Sequence, residues 1–447
     1  MKCIKEKNFN EDQYNLALKF YKNSTKKICM HTLAQLRCGE LKGIKRLSLS
    51  ENLSSFPPEI YELCDTLEIL DLSHNALSSL PADISRLKKL KIAFFSNNLF
   101  TEVPSVFKSC KNLYMLGFKA NQIEVFDEDI LPLSISWLIL TDNKITKVPA
   151  SIGKLHKLQK CALAGNRIEV IPKEIQACEN LELLRLSANE IKEIPSYLLN
   201  LPRLSWLAFS GNPCSGHQTF SHRELPDTDL EIKELLGEGA SGEIYKAYSK
   251  SLGKDIAFKR FKGAVTSDGY AHDEMNAYMS TGEHPNLIKV LGRLKGEERL
   301  GLILELIPKE YTNLGNPPNF QTCTRDTFEE TKYFNSETIE QIAKDIASAA
   351  AHLHSKGLMH GDLYAHNILI NENDHSYLGD FGAASFYKDE SGAYEKIEVR
   401  AFGCLLDDLL NLCRVKEGET YARLSALSQR CMSMEIQQRP RFNEMVF

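Results

Sequence analysis

A few residues in the second half of this 447-residue sequence have the types and spacing to do chemistry together. Gly237, Gly239 and Gly242 form a GxGxxG run, and Lys259 follows them one strand later in the stretch IAFK. Glu274 stands in AHDEMNAYMS, beside Asp273 as a competing acid. HGDLYAHNILI at 360–370 then brings Asp362 and, five positions on, Asn367; the run Asp380-Phe381-Gly382 comes shortly after. Each has an ordinary structural explanation when taken alone; Glu274, for instance, could be a solvated helix acid. A lysine, acids and an amide in fixed order suit phosphoryl transfer, which asks a protein for positioned charge more than for covalent chemistry.

These groups need elements to hold them. Leu230 to Phe258 alternates like a β-hairpin, LEIKELLGEGASGEIYKAY then KDIAFKRF, with the glycines between the strands. A GxGxxG run by itself also marks dinucleotide-binding turns, but there a helix opens at the third glycine, whereas here strand follows strand. AHDEMNAYMS reads as a helix.

The first half is a repeat array. Asn52, Asn75, Asn98, Asn121, Asn143, Asn166, Asn189 and Asn212 recur at a constant step, shortened by one position only between Asn121 and Asn143. Ile or Leu stands eight before each, and apolar pairs such as Leu70/Leu72 and Leu184/Leu186 stand five and three before. The alternation puts each pair inward from a short strand, and parallel stacking of such strands gives a concave face. Asparagine is expected to bond backbone groups where the strand turns away. Most units continue to a proline; NQIEVFDEDI lacks it and is expected to be irregular. The pattern resembles leucine-rich repeats of the short bacterial class over residues 41–214. Residues 1–40, with Leu16, Phe20, Leu33 and Leu36, are expected to form a helical cap. Ile69, Ile92, Phe94, Met115, Trp137, Ile139, Leu183 and Trp206 fall on the concave face, where an apolar stripe points to a protein partner.

After a linker at 215–228, residues 229–447 resemble the protein kinase family, on the order of glycine run, lysine, glutamate, HGD…N and DFG. The expected architecture is an α/β leucine-rich-repeat solenoid followed by a two-lobed α+β kinase-like domain. The resemblance implies ATP against Leu236, Gly237, Glu238, Gly239, Ala240, Ser241, Gly242, Ile244, Ala257, Lys259, Leu304 and Glu305. Leu304 would be the gatekeeper and Glu305 the first hinge residue. It implies a Lys259–Glu274 ion pair, Asp362 as acceptor of the substrate proton, and Asn367 and Asp380 as ligands of Mg2+, with Mn2+ as an alternative. The acceptor would be a protein hydroxyl, Ser/Thr before Tyr. A nucleotide-binding pseudokinase scaffold and a small-molecule kinase are the alternatives, the latter because HGD also occurs in such enzymes.

The sequence departs from the family in several places. Gly361 replaces the arginine before the catalytic aspartate. Tyr364 and His366 replace the lysine of serine/threonine kinases and the arginine of tyrosine kinases. The segment from Gly382 to Glu398 is short and holds no APE motif, and Glu398 stands where helix F usually carries an aspartate. Arg439, in the closing QRPRF, lacks its usual glutamate partner, with Glu398 or Glu395 as the expected substitute. A shortened peptide-docking segment shifts substrate capture to the repeats, through tethering.

Composition agrees with a globular protein: 43% apolar, 25% charged, net charge −5. Nothing in it marks nucleic-acid binding, and no stretch is apolar enough for a membrane span. Most cysteines sit singly in apolar stretches, as reduced thiols do, and the N-terminus has no apolar signal region. A cytoplasmic protein is expected, with signal-free secretion left open.

Overall fold

The computed structural model describes residues 30–216, 223–239, 241–262, 265–266, 268–295, 300–389 and 391–447. Leu16 and Phe20 of the expected cap lie outside them. Leu33 and Leu36 fall in α1 (Leu33–Arg37), whose first turn is closed by a capping box of Thr32 and Gln35.

Eight short strands follow at the repeat period. They are β1 (Arg46–Ser48), β2 (Ile69–Asp71), β3 (Ile92–Phe94), β4 (Met115–Gly117), β5 (Trp137–Ile139), β6 (Lys160–Ala162), β7 (Leu183–Arg185) and β8 (Trp206–Ala208). They form one parallel sheet in chain order. Central strand residues such as Leu70, Leu116, Leu138 and Leu207 point inward and are fully buried. The asparagines lock unit to unit. Asn98 Oδ1 accepts from Leu77 N at 2.9 Å, and its Nδ2 donates to Leu72 O at 3.0 Å and Phe95 O at 3.1 Å. One side chain thus satisfies backbone groups of two turns that no strand partner reaches. On the convex side, 3-10 turns such as Ser105–Ser109, Ala150–Lys154 and Lys173–Ala177 begin just after a proline. The unit without that proline has no such turn, as expected. The seventh unit carries α2 (Ser196–Leu199) instead.

Within the stretch expected as a linker, residues 223–228 are described. β9 (Glu224–Leu225) already pairs, parallel, with β13 (Val290–Leu294) at the edge of a second sheet. That sheet contains β10 (Leu230–Glu238), β11 (Gly242–Ser249), β12 (Lys254–Phe261) and β14 (Gly301–Glu305), in the order β10-β11-β12-β14-β13-β9. Helix α3 (Ala271–Ser280) accompanies it. The larger lobe rests on α4 (Ser336–Ser355), α5 (Ala393–Asn411) and α6 (Glu419–Cys431). Small strand pairs carry the loops between α4 and α5. α4 starts where Asn335 accepts a hydrogen bond from Thr338 N at 2.7 Å.

The two halves share their cores. Met359, Tyr394 and Ile397 of the second half join the repeat core, and Leu183 and Trp206 of the repeats join the large-lobe core. The concave stripe is therefore not an open surface, which corrects the sequence expectation. Ile92, Phe94, Met115 and Trp137 are buried, and with half-buried Ile69 and Ile139 they pack against Phe320 and Cys323 of the second half. An apolar stripe signals that something covers it; here the cover is the chain's own loop.

Candidate active site

Lys259 lies on β12 and Glu274 on α3, and the two form a buried ion pair. Burial opposes the lysine's charge, but the carboxylate of Glu274, with Tyr278 and Asp380, holds its ammonium above the ordinary range. The competing Asp273 instead lies 3.2 Å from His272 Nε2. The expected nucleotide wall is assembled around the lysine. β11 and β12 pair antiparallel with Ile244 opposite Lys259, and Ala257 pairs with Leu304 on β14. Ala257 and Leu304 are buried, Ile244 is half-buried, and Leu236 and Glu305 are exposed. Gly237 and Glu238 end β10. Across the turn Gly239 N donates to Gly242 O at 2.7 Å, beside Ser241. Glu238 pairs with Lys262. Ala240 lies outside the described residues.

The opposite wall is the loop after β15 (Leu358–Met359). Asn367 Nδ2 donates to Asp362 Oδ2 at 2.8 Å and to Asp362 O at 2.9 Å. Asp380 is exposed, and its N–H donates to the Tyr278 hydroxyl at 3.0 Å. Phe381 is buried between Tyr278 and His360, with ring centroids 4.6 and 4.9 Å away. Beneath the loop, Glu398 on α5 accepts from His360 N at 3.1 Å and Gly361 N at 2.7 Å, and His354 Nε2 lies 2.8 Å from it. Burial would raise its carboxyl, but these partners hold it below the usual range. Glu398 therefore braces the His360–Gly361 turn and is not the partner of Arg439. Glu395 is not that partner either, since it accepts from Phe442 N at 2.9 Å. Arg439 instead donates to Lys396 O at 3.0 Å, Ser433 O at 2.9 Å and Pro202 O of the repeats at 2.6 Å.

The residue that sequence reasoning missed is Arg185. It ends β7, buried on the concave face. Its Nη2 donates to Asp362 Oδ1, its Nη1 donates to Gly361 O at 2.9 Å, and its Nε lies 3.0 Å from Asp268 Oδ1. Burial alone would push the Asp362 carboxyl up, but Arg185, His366 and His360 hold it below the usual range. A signal was present. The position four before the asparagine reads Ser48, Asp71, Phe94, Gly117, Ile139, Ala162, Arg185 and Ala208, with a single cation. Next to it, the indole of Trp206 stacks on Tyr364, with centroids 4.4 Å apart and planes 5° apart, and donates to Leu363 O at 3.1 Å.

Donor chemistry fits the implied cation. Among the described residues no cluster of three or more His, Cys, Asp or Glu could hold a metal ion. Magnesium is ordinarily held by one or two carboxylates together with substrate phosphates and water. Asp380 and Asn367 offer one carboxylate and one amide oxygen, a set that would fit such an ion once phosphates and water completed its shell.

Residues 230–402 match the family model described as the protein kinase domain, and residues 66–87 match the leucine-rich repeat. The chain thus joins a leucine-rich repeat to a protein kinase domain. Over 213 residues it is 30% identical to a putative L-type lectin-domain containing receptor kinase V.6 of Arabidopsis thaliana, covering 45% of this chain and 38% of that protein. It is 30% identical over 164 residues to serine/threonine-protein kinase 1 of the same plant, covering 36% of this chain and 18% of that one. The chain thus spans under two fifths of the length of these curated relatives. A solved leucine-rich-repeat protein of Leptospira interrogans aligns at 32% identity and a TM-score of 0.38, over 40% of this chain and 45% of that one.

Proposed function

We propose that the chain is an ATP-dependent protein kinase that transfers the γ-phosphoryl group to a protein hydroxyl, serine or threonine before tyrosine. The observation that carries this is the buried Lys259–Glu274 pair, with Asp380 near enough to act on the lysine's charge, together with the bonded pair of Asp362 and Asn367. A scaffold needs no such alignment of a lysine with two acids and an amide. In this reading Lys259 grips the ATP phosphates, held in place by Glu274. Asp362 orients the acceptor hydroxyl and takes its proton. Asn367 and Asp380 would hold Mg2+, which neutralises phosphate charge when bound. A cytoplasmic setting belongs to the same proposal, supported by cysteines that are all free among the described residues.

A second reading is favoured by one observation: β8 packs Trp206 over Tyr364, beside the catalytic loop, where a docked peptide would need room. That crowding suits a small acceptor. Both readings are tested by incubating the full chain with γ-labelled ATP and Mg2+, with protein acceptors and separately with small hydroxyl compounds, beside Asp380→Ala. Label on protein, lost in the variant, supports the protein kinase. Label only on small compounds supports the second reading, and no label with either refutes transfer.

A further inference from the structure

We infer that Arg185, a residue of the repeat array, is a built-in part of the phosphoryl-transfer site: it positions Asp362 and brings a guanidinium to its carboxylate from outside the catalytic loop. This rests on the reading that the chain transfers phosphoryl groups.

The geometry comes first. One guanidinium joins the loop twice, at Gly361 O and at the Asp362 carboxylate, and reaches Asp268 with its third nitrogen. Its planar fork suits such multiple contact in a way that a lysine ammonium does not. Asp362 is fixed from both sides, with Oδ2 on Asn367 and Oδ1 on Arg185. Two positions in the loop could have offered a cation. Tyr364 is a buried phenol stacked on Trp206. His366 is turned away onto Asp326, with Nδ1 2.7 Å from Oδ1. The guanidinium beside Asp362 therefore comes from the other half of the chain. Asp362 still keeps 19% of its side chain exposed, so an acceptor hydroxyl has a way in.

The docking that brings Arg185 there is permanent in its construction. Gly361 has φ +74°, and a Cβ on it would stand 2.6 Å from Leu207 O of β8 and 2.7 Å from Ala383 O. A side chain at 361 is thus excluded by the repeats as well as by the backbone, and that is where the family's arginine is missing. Gly269 likewise has φ +135°, and a Cβ there would meet Ser210 Oγ at 2.9 Å and Ser187 Cβ at 3.0 Å. Phe209 N donates to Ser385 Oγ at 2.9 Å, within the short segment after Gly382. Buried Arg439 caps Pro202 O. Gly361, Tyr364, the segment after Gly382 and Arg439, four of the departures from the family, each meet a repeat residue.

The test uses the full chain. Arg185→Ala, Arg185→Gln and Arg185→Lys are compared with the parent for phosphoryl transfer, ATP binding and thermal midpoint. Transfer in the Ala and Gln variants is expected to fall at least ~100-fold at saturating ATP, the scale of a misplaced reacting group, with ATP affinity within about threefold. Lysine is expected to recover only part, and free guanidinium to revive Arg185→Ala but not Asp362→Asn. The loss in Arg185→Gln should fall on kcat while KM for ATP stays in place, because the variant misplaces the Asp362 carboxylate and leaves the nucleotide wall untouched; a packing role alone would show as a lower thermal midpoint with kcat of the folded fraction kept. Should the alanine variant fail to fold, the glutamine variant and its split between kcat and KM carry the test. Transfer that rises in either variant would overturn the inference and make Arg185 a plug. Unchanged transfer would also overturn it. A parent chain that transfers nothing while binding ATP would instead refute the proposed function itself.

Discussion

Replacing Trp206 with alanine should destabilise the whole chain by about 4 kcal/mol, in the range for emptying a buried large aromatic site. Trp206 is 1% exposed. Its strand β8 lies on the concave face, so the cover comes from the second half: Tyr364 stacks on the indole, and Leu363 O takes its N–H. The cavity dominates the loss. The stack adds ~1 kcal/mol, and the stranded carbonyl about as much again, and these parts overlap rather than sum. Trp206→Phe keeps a ring on Tyr364 and loses chiefly the N–H, so it should cost about 1–2 kcal/mol. Urea unfolding followed by far-UV circular dichroism measures both, with the alanine variant's midpoint lower by ~1 M. A loss below ~0.5 kcal/mol for Trp206→Ala is what an exposed residue gives. That result would mean the repeats and the kinase domain stand apart in solution, and the docking argument would fall with it.

A chain lacking residues 1–216 should be recovered unfolded or aggregated, because Met359, Tyr394 and Ile397 lose the core they share with the repeats; sequence alone suggests a separable kinase half, and a cooperative unfolding transition in that fragment would contradict the shared core. Asn189→Ala should cost about 2–3 kcal/mol, since it leaves Ile168 N and the carbonyls of Leu163 and Leu186 buried without their partner; chemical denaturation measures it. For His366, burial favours the neutral ring, but Asp326 and Asp362 outweigh it and raise its pKa above 6.5. Its folded value being raised, the stability it contributes is full below pH 6.5 and fades as pH rises through the folded value. The difference in denaturation midpoint between the chain and His366→Gln should therefore shrink between pH 6 and pH 9, and a difference that grows would refute the assignment.

What could be read from sequence was local. The repeat period placed all eight strands and the asparagine ladder, because each depends on residues a fixed few positions apart. The order of glycines, lysine and acids placed the cleft, because backbone spacing sets which strand carries each. Glu398 was legible by its place on the helix, though its work on the amides of His360 and Gly361 was not. What stayed hidden is the meeting of the halves. A stripe of Ile92, Phe94, Met115 and Trp137 looks the same whether its cover is another protein or Phe320 of the same chain. Arg185 could be seen as the odd cation in its column, but its partner Asp362 lies far along the chain, in the other half. Arg439 was legible as a residue in want of a partner, yet the partner is a repeat carbonyl, which no side-chain pattern announces.

The parallel ladder gives the array the property of a ruler. Strands in a sheet stand about 4.8 Å apart, and β3 and β5 grip the Phe320 loop while β7 and β8 grip the catalytic loop. Inserting or deleting one repeat unit between those grips would shift one set by a full strand and leave Arg185 facing empty space or the wrong backbone. Units added before β1 would disturb neither grip. Lineages carrying this architecture should therefore vary in repeat number at the N-terminal end and hold the count fixed from the third strand onward.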